Sequence, residues 1–211
     1  SIGSSAFSGC SSLASVSIGE SVTSIGSYAF SGCNGLTSVS IPDSVTSIGS
    51  SAFASCSSLT SIIIPEGVSS LEYQTFYNCT SLESVTLPEG LVSIADRYNN
   101  GGVFENCTSL KSVVIPDSVT SIGSYAFYGC SGLTSVSIGE SVASIGSSAF
   151  SGCSSVTSII IPDGVTSIGS YAFRDCSGLT SMSIGDSVTS IGSYAFCGCS
   201  SLTSITIPEG V

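Results

Sequence analysis

Phenylalanine recurs at positions 7, 30, 53, 76, 104, 127, 150, 173 and 196, and every step is 23 residues except one of 28 between Phe76 and Phe104. Nine such residues in one context mean nine copies of a single unit with one five-residue insertion. A unit this short cannot enclose a core alone. It must stack on its neighbours, so the chain is expected to form an elongated array rather than a globule.

The copy from Phe30 to Phe53 shows what each unit builds. Leu36-Thr37-Ser38-Val39-Ser40-Ile41 and Val45-Thr46-Ser47-Ile48 alternate apolar and hydroxyl residues, a strand pattern. Pro42-Asp43-Ser44 and Gly49-Ser50 bound them as turns. No apolar stripe is long enough for a helix of two turns, and Ser-Tyr-Ala-Phe is predicted to make at most a short 3₁₀ or helical turn. The triplet Leu36/Val39/Ile41 returns in all nine copies, from Leu13/Val16/Ile18 to Leu202/Ile205/Ile207. In register, such strands form a parallel sheet with neighbours about 4.8 Å apart.

The composite motif F-x-x-C-x-x-L-x-x-[VI]-x-[IL]-P-x-x-V-x-x-I-G-x-x-A-F resembles the BspA-like, treponemal type of leucine-rich repeat, and it covers the whole chain. The resemblance implies a right-handed, curved leucine-rich repeat solenoid of nine coils with a parallel β-sheet on its concave face. It also implies an extracellular or cell-surface protein used in adhesion and protein binding. Residues 1–211 are expected to be a single solenoid domain and a piece of a longer array, with the insertion near 95–103.

Composition removes several function classes. The net charge is −11, the basic residues are Arg97, Lys111 and Arg174, and there is no His. Phosphate backbones and anionic membranes both need clustered Lys and Arg, so neither nucleic acid nor a membrane surface is an expected partner. No apolar run approaches the roughly 20 residues of a membrane span. The absence of His removes Ser-His and Cys-His nucleophile pairs, and no glycine-rich phosphate motif occurs. No enzymatic activity and no cofactor are expected.

Three columns carry reactive groups. Cys10, Cys33, Cys56, Cys79, Cys107, Cys130, Cys153, Cys176 and Cys199 each follow a Phe by three residues. They are expected to form a ladder of buried free thiols, because in-register Cβ vectors run parallel rather than toward each other; disulfides are the alternative. Cys197 lies outside the column and is the expected reactive thiol. Glu20, Asp43, Glu66, Glu89, Asp117, Glu140, Asp163, Asp186 and Glu209 follow the residue that ends each concave strand. They read as turn formers, with weak divalent-cation binding along the ladder as the sharper alternative. Ser occupies the middle strand position in all nine copies, from Ser15 to Ser204, a hydroxyl face expected to be solvated.

Specificity is expected where the repetition breaks, between Glu72 and Lys111. The insertion reads Asp96-Arg97-Tyr98-Asn99-Asn100-Gly101-Gly102, with Tyr73, Gln74, Tyr77 and Glu105 nearby. Glu83 and Lys111 share a column in adjacent copies and are predicted to form a cross-strand ion pair. Tyr73, Tyr77, Glu83, Arg97, Tyr98 and Lys111 are therefore the candidate partner-binding residues. Asn78-Cys79-Thr80 and Asn106-Cys107-Thr108 fit the glycosylation sequon.

Three functions fit these features. The first is a scaffold that binds a protein or glycan partner on the concave or inserted surface. The second is a filament or surface-layer component that self-associates end to end, and the third is an ice- or mineral-binding surface.

Overall fold

The computed structural model describes residues 1–95 and 101–211. Each coil contributes two short parallel strands. The longer ones are Ser15–Ser17, Ser38–Ser40, Ser61–Ile63, Ser84–Thr86, Ser112–Val114, Ser135–Ser137, Ser158–Ile161 and Ser181–Ile184. They pair in a register that advances one copy per step, as in Val16 opposite Val39 and Ile159 opposite Met182. The second, two-residue strands run from Ser24–Ile25 to Ser190–Ile191; those from Ser70–Leu71 onward form a six-stranded parallel ladder, and Ser24–Ile25 pairs Ser47–Ile48 separately.

Nine copies were expected to give nine coils; the described residues form eight strand pairs. The ninth copy is divided between the ends, where Ile2 makes a lone bridge to Ile25 and residues 203–206 carry no strand. The insertion disturbs neither ladder, since Ser84 pairs Ser112 and Ser93 pairs Ser121 across it.

A third arm closes each coil around Phe. The amides of Tyr28, Phe30 and Gly32 donate to the carbonyls of Ser50, Ala52 and Ala54 in the next coil. Those of Ala29, Ser31 and Cys33 donate back three residues, to Gly26, Tyr28 and Phe30. The arm is thus a run of overlapping turns, in keeping with the short 3₁₀ or helical turn expected at most of Ser-Tyr-Ala-Phe, and its alternate amides join neighbouring coils. This geometry needs left-handed residues on both sides of Phe. The residue two before is left-handed in eight coils, as at Tyr28 (φ 58°) and Tyr125 (φ 59°), and the residue two after is left-handed in all nine. Gly, Asn and Asp tolerate that region best, which explains the run Gly9, Gly32, Ser55, Asn78, Asn106, Gly129, Gly152, Asp175 and Gly198. The two sequon asparagines accordingly have a conformational role.

One hydrophobic core runs the length of the stack. The Phe rings stack nearly parallel in an offset ladder, with centroids 5.2–5.6 Å apart, and Phe76 and Phe104 keep 5.4 Å across the insertion. Each contact adds about 0.5–1.5 kcal/mol to the burial of the ring. Beside it all ten cysteines are free thiols. Each thiol from Cys33 to Cys199 in the column donates to the Phe carbonyl of the preceding coil, as Cys56 does to Phe30 at 3.2 Å and Cys130 to Phe104 at 3.1 Å. Burial pushes the thiols of Cys56, Cys130 and Cys176 up to about 12, so they stay protonated. The buried-thiol reading holds from Cys33 to Cys176 but not at Cys10, which is exposed, nor fully at Cys199, which is half-buried. Cys197 is exposed, as expected.

Candidate binding groove

The arms of the coils carrying Phe76 and Phe104 depart from the pattern together. Where a regular coil reads Gly146-Ser147-Ser148-Ala149-Phe150-Ser151, the coil of Phe76 reads Glu72-Tyr73-Gln74-Thr75-Phe76-Tyr77. Thr75 is fully buried in place of Ala, and its hydroxyl donates to the Glu72 carbonyl at 2.6 Å, so the substitution leaves no unmet polar group.

In the next coil, Gly102 occupies the position where Tyr125 sends its amide to the following coil. The Gly102 amide turns instead to Glu105 Oε2 at 2.9 Å. A side chain at Gly102 would collide with the Tyr125 carbonyl. Gly101 is left-handed, φ 87°, and a Cβ there would lie 2.6 Å from Gln74 Nε2 and 3.1 Å from Glu105 Oε2. Two glycines thus let the chain pass close over Gln74 and Glu105. Desolvation raises the Glu105 carboxyl above its ordinary range, and the Gly102 amide opposes that shift.

The result is a groove of about 430 Å³ lined by Tyr28, Tyr73, Gln74, Tyr77, Gly101, Glu105 and Tyr125. Tyr28 and Tyr125 stand at the same arm position four coils apart, and the intervening residues there are Ser51, Gln74 and Gly102. Ser51 fixes Gln74 by donating to its Oε1 at 3.2 Å. Further along the arm, Tyr125, Tyr128, Ser148, Ser151, Tyr171, Arg174 and Asp175 line a second hollow of about 280 Å³. Tyr171 stacks on Tyr194 at 5.1 Å and lies under the Arg174 guanidinium at 5.7 Å.

The structure therefore brings together Tyr73 and Tyr77 of the predicted site and adds Tyr28 and Tyr125. Comparing the residues two before each Phe gives the added pair together with Tyr171 and Tyr194, so the sequence did not single it out. Glu83 and Lys111 lie elsewhere, on the long-strand face. Their backbones are joined, Lys111 N to Glu83 O at 3.1 Å, but the expected ion pair does not form. Among the described residues the one ion pair is Arg174 with Asp175, at 3.1 Å. Both Glu83 and Lys111 are exposed, so hydration and side-chain freedom outweigh a weak surface attraction. Arg97 and Tyr98 lie outside the described residues.

The acidic column is exposed from Glu20 to Glu209. Asp117 and Asp163 accept the backbone amides of Glu140 and Asp186 in the next coil, at 2.9 and 3.0 Å. That is turn chemistry, and among the described residues no group of three or more potential ligands is placed to hold a metal. On the concave sheet several Thr hydroxyls are engaged with the preceding coil, as Thr37 with Ala14 at 3.1 Å and Thr180 with Thr157 at 2.9 Å. Three apolar side chains interrupt this face on alternate coils, Ile63, Val114 and Ile160, at 69, 65 and 71% exposure.

The sequence matches the BspA type leucine-rich repeat region (6 copies) over residues 1–101 and 99–211. Among solved structures, a leucine-rich cell surface protein of Faecalibacterium prausnitzii is 33% identical with a TM-score of 0.58, over 96% of this chain and 62% of that one. The leucine-rich repeat protein of T. pallidum is 30% identical with a TM-score of 0.67, over 90% of this chain and 78% of its own. The pneumococcal vaccine antigen PcpA shares the fold at 22% identity and a TM-score of 0.55, over 95% and 62%. The chain thus spans less than two thirds of the first and last of these. Curated protein sequences give no match.

Proposed function

The chain belongs to the BspA-type leucine-rich repeat family, and from that premise we infer that it is a non-enzymatic, surface-located scaffold that binds its partner through the arm groove. One observation carries this reading. The arm departures in the coils of Phe76 and Phe104 converge on one concavity, while the Phe and Cys ladders continue through those coils.

A surface location is supported by the F. prausnitzii relative, which is described as a cell surface protein. No helix among the described residues is long and apolar enough to cross a membrane. A scaffold role without catalysis is supported by the absence of His and by column thiols held protonated beside carbonyls.

The test is binding of the whole chain to immobilised extracellular-matrix proteins and to intact host cells. The arm at 72–77 is compared with a variant returned to the repeat pattern: Glu72→Gly, Tyr73→Ser, Gln74→Ser, Thr75→Ala and Tyr77→Ser. Loss of binding in a variant that stays folded is expected. Equal binding by both chains sinks the arm as the contact surface.

A second reading places a partner on the concave sheet, favoured by the three exposed apolar residues Ile63, Val114 and Ile160. Clusters of this kind mark contact surfaces. Replacing all three by Ser separates the two: binding lost here and kept in the arm variant selects the sheet.

A further inference from the structure

We propose that the arm groove holds a linear, uncharged oligosaccharide lying along the solenoid axis; this rests on the arm being the binding surface. The lining is the first argument. Tyrosine combines an apolar ring face with a hydroxyl tip, and a pyranose combines a flat C–H face with a rim of hydroxyls. Gln74 and Glu105 add an amide and a carboxylate of fixed position, held by Ser51 and the Gly102 amide. An apolar helix or strand would need a continuous aliphatic lining, and among the described residues no aliphatic side chain lines this groove.

Charge narrows the class. Among the described residues no Lys or Arg lines the groove, and the chain carries −11 overall, a balance that disfavours sulfated and uronate-rich chains. A basic peptide is not matched either. Among the described residues Glu105 is the one carboxylate in the lining, it is half-buried, and one of its oxygens already accepts the Gly102 amide. Nine exposed acids stand at the turn after the long strands, on another edge of each coil, while Glu72 and Asp175 are exposed on the arm outside this lining.

Spacing is the third argument. Tyr28 and Tyr125 are separated by four coil steps of 5.2–5.6 Å, with Ser51, Gln74 and Gly102 as a low floor between. A linked pyranose chain advances per ring by close to one coil, so rings and coils run nearly in step. Preformed matching of this kind lowers the ordering cost of binding a flexible chain.

The experiment is saturation-transfer NMR and calorimetry on the whole chain. The probes are cellohexaose, chitohexaose and mannohexaose, with a sulfated dextran and hexalysine as charged comparators. At least one neutral sugar is expected to bind with an affinity that salt leaves unchanged. Tyr77→Ala with Tyr125→Ala should weaken it by about tenfold or more, a loss near 1.4 kcal/mol. Tyr194→Ala, outside the groove, should leave it unchanged, and circular dichroism verifies that all variants fold. The proposal falls if no neutral sugar binds, if binding survives the folded double variant, or if a charged comparator binds instead. A protein or cell partner still lost in the arm variant while no sugar binds removes the oligosaccharide alone; failure of both removes the arm reading as well.

Discussion

The coils of Phe150 and Phe76 share the same Phe and Cys ladders on the inside, with Thr75 in place of Ala149, and differ on the outside. Phe150 stacks on Phe173 at 5.5 Å and Phe76 on Phe104 at 5.4 Å. Cys176 donates to the Phe150 carbonyl at 3.2 Å, and Cys107 to that of Phe76 at 3.2 Å. Around Phe150 the arm carries serines, of which Ser148 and Ser151 are buried; around Phe76 it carries two half-buried tyrosines, a half-buried glutamine and an exposed glutamate. Side chains that face the stack are fixed by a neighbour above and below. Those that face solvent are not, and only there can a near-uniform array encode recognition.

The largest test of this equivalence is truncation of the ladder. Phe76→Ala and Phe150→Ala should each cost about 3–5 kcal/mol, measured as urea unfolding, because both rings are buried and stacked on two sides. A much smaller loss at Phe76 would show that the irregular coil is loosely packed, breaking the comparison.

Alkaline pH tests the thiol ladder on both sides of the groove. Free thiols titrate near 9, while Cys56, Cys130 and Cys176 are raised to about 12 in the folded chain. The native state therefore holds protons that the unfolded state has lost. Their contribution is complete below pH 9 and declines as pH rises from 9 toward 12, by about 1.4 kcal/mol per thiol for each pH unit. A urea midpoint unchanged between pH 8 and about 10.5 contradicts this. A thiol reagent in native buffer should label Cys10 and Cys197 well before the buried column.

Smaller effects sharpen the outer difference. Thr75→Ala restores the repeat residue but removes the 2.6 Å bond to the Glu72 carbonyl, and should cost about 1 kcal/mol in thermal or urea unfolding. Tyr77→Ser, the exchange of an arm side chain for the one in the coil of Phe150, should change stability by about 0.5 kcal/mol or less while reducing binding. A larger loss of stability would make that tyrosine part of the scaffold rather than of the groove.

Much of this molecule was legible in the chain. The Phe period, the L-x-x-V-x-I triplet and the turn residues all demand in-register stacking, because each repeats with the period of a unit that cannot bury its own core. Locating the chemistry in the break was also possible, since Tyr73, Gln74, Tyr77 and Glu105 are departures from a pattern. What the chain alone left open was contact. The expectation that Glu83 would pair with Lys111 came from a shared column, but a column places backbones and not exposed charged tips. Tyr28 and Tyr125 belong to the groove although 45 residues or more separate Tyr28 from Tyr73 and 48 separate Tyr77 from Tyr125. Only stacking, with Gly101 and Gly102 closing over Gln74, Glu105 and the Tyr125 carbonyl, brings them to one surface. The sequence determined the repeat through local periodicity; the tertiary structure decided the groove, because its walls come from coils that meet only when the solenoid is built.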